Sequence, residues 1–465
     1  MSELPQGWVM SSIAELTHTS LGKMLDAKQA TGLHATPYLR NINVRWDSFD
    51  LSDVAVMDIR PEELERVLAR AGDVIACEGG EPGRAAVWRR HEPVALQKAL
   101  HRVRPRDGVV SEFVAQALRH QAESGELARL FTGTTIKHLP QEKLRVVRLP
   151  LPPTAEQERI VAAIEEAFSK LDAGEAALRT ARQRLKRMRD AVLTAAVTGR
   201  LVPQDPTDIP ARELLAELGA AEIGSREPLR RGWSCARLDS LAAVVSGNTP
   251  KGLDDAVADA GDLPLIKVGD LALSDRYLAN SRTWLNRSDQ ERLRLRTCPA
   301  GTIVFPKRGG AIATNRKRIL AREAAFDLNT MGLVPRLGLG DWLWTWFMQV
   351  DLRTISDGSN VLQLNHTDVA PLEVPVPPVG EQRRIVAEVE RQLSFIEACE
   401  RAVNSGLTRS AALRRSVLKV AFEGRLVPQD PSDEPASVLL ERIREERTVS
   451  GSPKLRRTRP VRSGS

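Results

Sequence analysis

Residues 305–322 concentrate basic and polar side chains. This stretch contains six Lys or Arg residues and no Asp or Glu, and Thr314 and Asn315 lie among them. Arg and Lys bind phosphates and guanine edges, whereas Asn can pair with adenine. The mixture therefore predicts contact with a DNA groove; a solvated basic loop is the alternative interpretation.

A second polar stretch covers residues 39–45. Apolar and polar positions alternate there, as in a half-exposed strand, so that Arg40, Asn41 or Asn43, and Arg45 would point outward. We predict that these side chains also contact DNA. An ordinary exposed strand edge is the alternative.

Residues 246–251 form a turn by composition. Thr249 and Lys251 have groups that can clamp a phosphate, unless the turn is purely structural. Further basic residues in both halves of the chain extend the set. The complete predicted set of DNA contacts is Lys23, Arg40, Asn41, Asn43, Arg45, Arg84, Lys98, Lys137, Asn248, Thr249, Lys251, Lys267, Lys307, Arg308, Thr314, Asn315, Arg316, Lys317 and Arg318.

Catalytic and metal-binding constellations are missing from the sequence. There is no GxxxxGK[ST] phosphate loop. The motif Asn/Asp-Pro-Pro-Tyr/Phe, which is typical of enzymes that methylate nucleobase amino groups, is also absent. The seven histidines have no metal-ligand spacing, and the four cysteines lie at least 63 residues apart. We therefore predict no catalytic residue, metal site or cofactor on this chain, and we expect Cys77 and Cys235 to be buried thiols.

The overall composition is that of a soluble globular protein. The chain has 465 residues, of which 42% are apolar and 27% charged, with a formal net charge of +7 and a pI near 9.4. No apolar run approaches the roughly 20 residues needed to cross a bilayer, and the first residues lack the regions of a signal peptide. These features predict a cytoplasmic protein. The basic balance is compatible with a nucleic-acid partner without proving one.

The elements that must position these side chains are duplicated. The Gly-Trp pair at residues 7–8 recurs at 232–233, and the octet at 199–206 recurs without change at 424–431, each at a spacing of 225 residues. The chain therefore consists of two tandem copies of one unit, which is a domain duplication rather than a solenoid. The middles of the copies have diverged, which suggests related tasks on different targets.

Each copy divides into a globular part and a long helix. Apolar runs bounded by Gly and Pro, such as residues 73–76 and 301–305, predict strands, and residues 112–129 predict a helix, so we expect an α/β (α+β) globule. A proline-free segment from about residue 155 to 197 carries apolar residues every seven positions, the pattern of a coiled coil. It would span roughly 65 Å at 1.5 Å per residue.

The second copy supplies a partner for this helix. Packed antiparallel, the two helices would place the globules at opposite ends, related by an approximate two-fold axis. Thr154 and Gln157 have the spacing of a capping box at the start of the first helix. The predicted contacts of the helix pair are Ile160, Ile164, Leu171, Leu178, Leu185, Val192, Ile385, Val389, Ile396, Val403, Leu413 and Val417.

This arrangement predicts the domain boundaries. We expect a first globule at residues 1–153, a first long helix with a connecting loop at 154–225, a second globule at 226–378, a second long helix with a short terminal helix at 379–445, and a disordered basic tail at 446–465. Symmetric DNA-reading dimers match two-fold protein symmetry to palindromic half-sites. Because the two globules differ here, two half-sites of different sequence are expected.

The sequence resembles the specificity subunit of Type I restriction–modification systems. The resemblance rests on the Gly-Trp pair that opens each copy, on residues 246–250, and on the Pro-Pro-x-x-Glu-Gln-x-x-Ile motif at 152–160 and 377–385. It covers residues 4–445 as an architecture, whereas motif identity is confined to these short pieces. The first copy departs from the pattern at residues 21–24, which lack the Thr-Pro turn.

The resemblance implies a function and a set of partners. It implies a chain that is not an enzyme by itself, with two target-recognition domains that each read one half of a split, asymmetric sequence of double-stranded DNA. The paired helices would set the unread gap and dock two methyltransferase subunits, which use S-adenosylmethionine to methylate adenines. Two motor–nuclease subunits with ATP and magnesium would complete a restriction complex.

Other functions stay open at this point. One is a duplicated coiled-coil scaffold that gathers protein partners and touches DNA only non-specifically. Another is an orphan specificity subunit that serves methylation alone. An autonomous nuclease or methyltransferase is disfavoured by the missing motifs.

Overall fold

The structure is a computed structural model that describes residues 4–25, 33–225, 227–336, 338–358 and 361–450, with side chains to residue 448. The chain forms two compact units. Unit 1 contains Met1–Leu178 and Ser405–Ser465, and unit 2 contains Arg179–Asn404. Both boundaries fall inside long helices, so each unit combines one globular part with a portion of each long helix.

The described part of the chain up to residue 197 contains twelve short strands and five α-helices. Its strands are β1 (Val9–Ser12), β2 (Thr17–Leu21), β3 (Ala35–Leu39), β4 (Val44–Arg45), β5 (Ser48–Phe49), β6 (Ala55–Asp58), β7 (Leu68–Ala69), β8 (Val74–Cys77), β9 (Ala85–Val87), β10 (Val94–Leu96), β11 (Leu100–Pro105) and β12 (Arg148–Leu151). Its helices are α1 (Ile13–Leu16), α2 (Pro61–Val67), α3 (Ser111–Glu123), α4 (Gln141–Arg145) and α5 (Thr154–Val197).

Two four-stranded sheets build the globular part of unit 1. The order β2-β11-β8-β9 is antiparallel throughout, and the order β6-β3-β10-β7 is mixed because β3 and β10 are parallel. Helix α3 packs on β8 and β9 with the buried Phe113, Val114 and Leu118. It ends at Glu123, earlier than predicted, because Gly125 follows with a left-handed φ of 83°.

The described part of the chain after residue 197 contains eleven strands and eight α-helices, and the first of these helices belongs to the first copy because the copies are spaced by 225 residues. The strands are β13 (Ser234–Arg237), β14 (Ala242–Ser246), β15 (Leu263–Ile266), β16 (Tyr277–Leu278), β17 (Trp284–Leu285), β18 (Thr297–Cys298), β19 (Ile303–Pro306), β20 (Arg318–Leu320), β21 (Ala324–Phe326), β22 (Thr330–Pro335) and β23 (Glu373–Val376). The helices are α6 (Ala211–Glu217), α7 (Leu238–Leu241), α8 (Leu253–Ala256), α9 (Arg287–Arg292), α10 (Gly340–Gln349), α11 (His366–Val369), α12 (Val379–Phe422) and α13 (Ala436–Ser450).

Unit 2 repeats the sheets of unit 1. The order β14-β22-β19-β20 matches β2-β11-β8-β9, and β17-β15-β21-β18 matches β6-β3-β10-β7. Unit 2 adds β16 parallel to β20 at one edge. In the position of α3 lies α10, whose Trp342, Leu343 and Phe347 are buried. The predicted duplication is therefore present in the fold.

None of the described helices is long and apolar enough to cross a membrane.

Helices α5 and α12 each have 44 residues, and their portions pack antiparallel within unit 1. Arg414 in the last quarter of α12 binds Asp172 and Glu175 in the middle of α5. Ser410 donates a hydrogen bond to Glu175 at 2.7 Å. Residue numbers fall along α12 as they rise along α5, which fixes the antiparallel direction.

The same direction holds inside unit 2. Arg189 on α5 lies 3.0 Å from Glu400 on α12. Beyond the end of α5, Gln204 donates a hydrogen bond to Glu381, near the beginning of α12, at 3.2 Å. Val192 shares one buried cluster with α12 residues, so an apolar seam accompanies these polar contacts.

The predicted helix contacts lie on the packed face with one exception. Leu413 is 47% exposed, so the prediction for this residue is wrong. The end of α12 instead turns Leu418 and Phe422 inward, because it packs against the globular part as well as against α5. The buried or half-buried positions are Ile160, Ile164, Leu171, Leu178, Leu185, Val192, Ile385, Val389, Ile396, Val403 and Val417.

The glutamate of the repeated Pro-Pro-x-x-Glu-Gln motif binds the tryptophan of the repeated Gly-Trp pair. In unit 1 the Trp8 indole N–H donates to Glu156 Oε2 at 3.0 Å. In unit 2 the Trp233 indole donates to Glu381 Oε2, also at 3.0 Å. The two motifs therefore fasten the start of each long helix to the beginning of its own globular part.

The glutamine of the motif holds the proline turn before each helix. Gln157 Nε2 donates to the Pro152 carbonyl at 3.0 Å, and Gln382 Nε2 donates to the Pro377 carbonyl at 2.8 Å. The predicted capping box is wrong, because Thr154 Oγ1 donates to a loop carbonyl outside the helix. The side chains of Thr154 and Gln157 therefore bind the loop at residues 108–110 of the globular part instead of capping the helix.

The repeated octet begins with the glycine that ends each long helix, and this glycine lies against a tryptophan ring. Gly199 and Gly424 both have a φ of 67°, which favours glycine. A Cβ at Gly199 would lie 2.9 Å from the Trp233 ring, and one at Gly424 would lie 3.3 Å from the Trp8 ring. The first octet therefore closes on unit 2, and the second octet closes on unit 1.

Helix α13 completes unit 1 from the far end of the chain. Its Leu439, Leu440 and Ile443 are buried in the same cluster as Trp8. The helix continues to Ser450, past the predicted boundary at residue 445. The rest of the predicted basic tail, from residue 451 onward, lies outside the described residues.

Candidate nucleic-acid interface

One end of the larger sheet of unit 2 gathers many of the predicted contacts. The carboxyl ends of β14 and β19 meet the amino end of β22 there, because β22 is antiparallel to both. The Lys307 N–H donates to the Asn329 carbonyl at 2.7 Å, and Thr249 Oγ1 accepts a bond from the Leu328 N–H at 3.2 Å. We call this surface edge 2; its predicted contacts are Asn248, Thr249, Lys251, Lys267, Lys307 and Arg308.

Unit 1 has the corresponding surface at the same end of its sheet. The Lys98 N–H donates to the Lys23 carbonyl, and the Glu78 N–H donates to the Ala99 carbonyl, both at 2.8 Å. Asn41 Nδ2 donates to the carbonyl of Gly79 at 3.2 Å. We call this surface edge 1; its predicted contacts are Lys23, Arg40, Asn41, Lys98 and Lys137.

Two of the four cations of edge 1 are paired with acidic neighbours. Lys23 lies 2.6 Å from Glu63, and Arg40 lies 2.7 Å from Asp53. Lys98 and Lys137 are exposed and make no ion pair with a described carboxylate. Edge 1 therefore offers few free cations for phosphates.

The cations of edge 2 and its neighbouring basic loop are unpaired. Lys251, Arg308 and Arg316 are exposed, and Lys267 and Lys307 are half-buried. None of the five lies within ion-pair distance of a carboxylate in the part of the chain that the structure describes. Free cations of this kind can release the counterions of a DNA backbone, so edge 2 has the stronger electrostatic attraction for phosphate.

The prediction that Lys317 contacts DNA is wrong. This side chain is 2% exposed, and its Nζ donates to the Val350 carbonyl at 2.5 Å and to Asn315 Oδ1 at 3.1 Å. Burial lowers the pKa of the Lys317 ammonium to about 7, although the carboxylate of Asp351 acts in the opposite direction. Lys317 therefore anchors the basic loop to the end of α10.

The prediction that Asn43 contacts DNA is also wrong, as is the strand predicted at residues 39–45. Residues 41–43 form a 3-10 turn. Asn43 is buried, and its Nδ2 donates to the carbonyls of Asp50 and Asp53 while its Oδ1 accepts the Arg40 N–H. In unit 2 Asp270 accepts the Lys267 N–H at the same place. The polar residue at this position shapes the turn in both units.

The other predicted contacts mostly bond to their own surroundings. Arg318 is half-buried, its Nε donates to the Ser274 carbonyl, and burial lowers its pKa. Asn315, with a left-handed φ of 51°, accepts the Leu352 N–H. Contacts with residues nearby in the sequence hold the remaining three: Thr314 with Ala311, Arg45 with Asp50, and Arg84 with Glu81.

Three polar residues on these edges were missed in the sequence. Glu78 and His138 meet at edge 1, and Gln363 meets Arg308 at edge 2. The available signal was the 225-residue spacing, which relates His138 to Gln363 within otherwise similar loops. Their partners could not be found from the sequence because they lie 60 and 55 residues away.

Several cysteine and histidine side chains that could react if they were accessible are buried in the hydrophobic cores. Burial raises the pKa of the Cys77 and Cys298 thiols to about 11. His101 is buried against the Leu139 carbonyl, and burial lowers its pKa. Cys235 is buried as predicted, and no cluster of His, Cys, Asp and Glu suited to a metal ion occurs among the described residues.

Solved structures share this fold. A chain from a study of complex assembly and conformational transition of the type I R-M system superposes with a TM-score of 0.71 at 18% identity, covering 91% of this chain and all of that one. The HsdS subunit from Thermoanaerobacter tengcongensis gives a TM-score of 0.50 at 18% identity, with 91% and 98% coverage.

Sequence comparisons identify the family. The model of the Type I restriction modification DNA specificity domain matches residues 5–180. The Type I restriction enzyme EcoBI specificity subunit of Escherichia coli is 31% identical over 393 residues, which cover 80% of this chain and 79% of that protein. The EcoKI specificity subunit of Escherichia coli strain K12 is 24% identical, with 98% of each chain covered. The duplicated units, the paired long helices and these matches together show that the chain belongs to the Type I restriction–modification specificity subunits.

Proposed function

We propose that this chain reads DNA for a Type I restriction–modification complex, with each unit reading one half of a split, asymmetric sequence. The observation that carries the proposal is the pair of edges, in which the same sheet end recurs with different side chains. Base contacts specify a sequence, whereas phosphate contacts position the protein. A repeated scaffold with altered contacts suits two half-sites that differ.

Catalysis is assigned in this proposal to partner subunits in the cytoplasm. Two methyltransferase subunits would bind S-adenosylmethionine, and two motor–nuclease subunits would use ATP and magnesium, so that this chain acts without a cofactor or a catalytic residue of its own. The equal lengths of α5 and α12 support a further role in docking these subunits and in setting the unread gap.

The experiment that tests sequence reading is a genome-wide map of methylated adenines in strains with and without this gene. A split motif that depends on the gene is expected, with two different half-sites and a constant gap. The absence of any gene-dependent motif, together with non-specific DNA binding by the purified chain, would favour the duplicated scaffold. Methylation without restriction of unmodified DNA would identify an orphan, methylation-only subunit.

The role of the helices has a separate test. Whole helical turns are inserted into one long helix, and the methylated motif is mapped again. The gap between the half-sites is expected to change while the bases of both half-sites stay the same. Methylation of the original gapped site would contradict the assignment of the gap to the helices.

A further inference from the structure

A short return segment lies beside the end of the central strand in each unit. In unit 1 the Leu139 N–H donates to the Glu78 carbonyl at 2.7 Å, and in unit 2 the Leu364 N–H donates to the Lys307 carbonyl at 2.8 Å. Gly79 pairs with His138, and Arg308 pairs with Gln363, as single antiparallel bridges. We call these surfaces ledge 1 (Glu78, Gly79, His138) and ledge 2 (Lys307, Arg308, Gln363).

The backbone of the two ledges is the same. Gly80 and Gly309 follow the strand ends with left-handed φ values of 83° and 81°. Leu139 and Leu364 are both fully buried beside them. The two ledges therefore share these backbone features and differ in their side chains.

Ledge 2 presents an arginine that is already oriented. Arg308 Nε and Nη2 donate to Gln363 Oε1 at 2.8 and 2.5 Å. Gln363 Nε2 in turn donates to Asn365 Oδ1 at 2.9 Å, which fixes the amide. Nη1 of Arg308 has no partner in the described part of the chain, so the outer side of the guanidinium is available. An arginine held in this way can donate two parallel bonds to guanine O6 and N7.

Ledge 1 presents a carboxylate one residue earlier at the strand end, at the position that Lys307 occupies in ledge 2. Glu78 Oε2 lies 3.1 Å from His138 Nδ1, and Oε1 has no partner among the described residues. Gly79 leaves room for the imidazole, because a Cβ there would lie 3.1 Å from His138 Nδ1. A carboxylate accepts a bond from the N4 amino group of cytosine.

The charge inverts at the position shared by Glu78 and Lys307, and this inversion separates base reading from phosphate binding at that position. Every phosphate is negative, so a residue that binds phosphate should be cationic or neutral in both units. Glu78 stands where unit 2 has Lys307, and Gly79 stands where it has Arg308. A carboxylate is tolerated on a DNA-facing edge when it meets a base donor rather than a phosphate.

We infer that the two ledges hold specificity-determining base contacts, with Arg308 on a guanine of one half-site and Glu78 on a cytosine of the other. Gln363 and His138 orient these two side chains. This inference rests on the proposed function, since it names the residues by which each unit reads its half-site.

The test maps methylated adenines in strains that carry Arg308→Ala or Glu78→Ala in the full chain. Arg308→Ala is expected to relax one guanine position in one half-site and to leave the other half-site unchanged. Glu78→Ala is expected to relax one cytosine position in the other half-site. Discrimination at the relaxed position should fall about tenfold to hundredfold, as for the loss of one good base contact.

The matched control is Arg287→Ala, which removes an exposed arginine of unit 2. Arg287 pairs with Glu323 and lies next to the beginning of β15, away from edge 2. Its motif should equal that of the unmodified chain. Circular dichroism and thermal unfolding of the purified chains verify that each variant folds.

Two results would overturn the inference without touching the proposed function. One is an unchanged split motif in both ledge variants. The other is a uniform loss of methylation at all sites, which would make Arg308 a phosphate contact and Glu78 a structural residue. The proposed function itself fails only if the unmodified chain yields no gene-dependent motif.

Discussion

Unit 1 and unit 2 share their sheets but differ in how their edges carry charge. The cations Lys23 and Arg40 of edge 1 are paired with carboxylates, whereas Lys251 and Arg316 of unit 2 have no carboxylate partner among the described residues. The two copies share the residues that hold each unit together and differ in the residues that face outward. The difference teaches that this fold separates the contacts that stabilise it from the contacts that distinguish its copies.

The largest expected effect concerns the tryptophans that both units share. Trp233→Ala should destabilise unit 2 by about 3–5 kcal/mol, because it removes a large buried side chain. Trp8→Ala should cost unit 1 less by about 0.5–1.5 kcal/mol, because Trp233 also packs edge-to-face on Trp342 at 5.7 Å. Hydrogen exchange of the full chain measures protection in each unit separately. Equal losses of protection for the two substitutions, or a loss only in the unit that does not carry the substitution, would contradict this comparison.

An intermediate effect concerns the free cations of unit 2. Lys251→Ala and Arg316→Ala should each weaken DNA binding several-fold and lower the slope of log affinity against log salt by about 1. Lys23→Ala in unit 1 is the matched control, because its charge is already neutralised by Glu63. Binding is measured over a salt series with the purified chain. A Lys23 effect as large as the other two would remove the distinction between the edges.

A third expected effect is a pH dependence specific to unit 2. The pKa of Lys317 is about 7 in the folded chain against an ordinary 10.5, so folding favours the neutral amine. The burial penalty is therefore fully present below about pH 7 and disappears as the pH rises toward 10.5. Unit 2 should gain stability over this range, and Lys317→Met should lose that gain.

Urea unfolding of both chains at pH 6.5, 8 and 9.5 measures this dependence. The stability of the original chain relative to the Lys317→Met chain should increase with pH. Unit 1 is the internal control, because the substitution leaves its residues unchanged. A constant difference between the chains across these pH values would show that Lys317 does not titrate in this range.

The repeats predicted the architecture well because the same motifs make the same contacts in both units. The Gly-Trp pair, the Pro-Pro-x-x-Glu-Gln motif and the octets mark the residues that join each long helix to a globular part. The heptad pattern was less reliable near Leu413, where α12 packs against more than one neighbour and the buried face is wider than a two-helix seam. A periodic pattern describes one partner, and this helix end has two.

The candidate site was predicted only in part. Clusters of Lys, Arg and Asn indicated loops that the fold brings together at the sheet ends, but composition does not show which members are buried. Lys317 and Asn43 have the residue types of DNA contacts and act instead as anchors of loop backbone. Glu78 and Gln363 have ordinary types for a surface loop, so nothing in the sequence singled them out.

The sequence by itself determined the duplication, the two long helices and the family resemblance, because identical residues at a constant spacing are visible before folding. Only the tertiary structure decided which charges are free, which are paired and which are buried. Strand order brings Arg308 to Gln363 across 55 residues and Glu78 to His138 across 60. Such pairings depend on how β19 and β8 lie beside their return segments, and no local pattern along the chain encodes that distance.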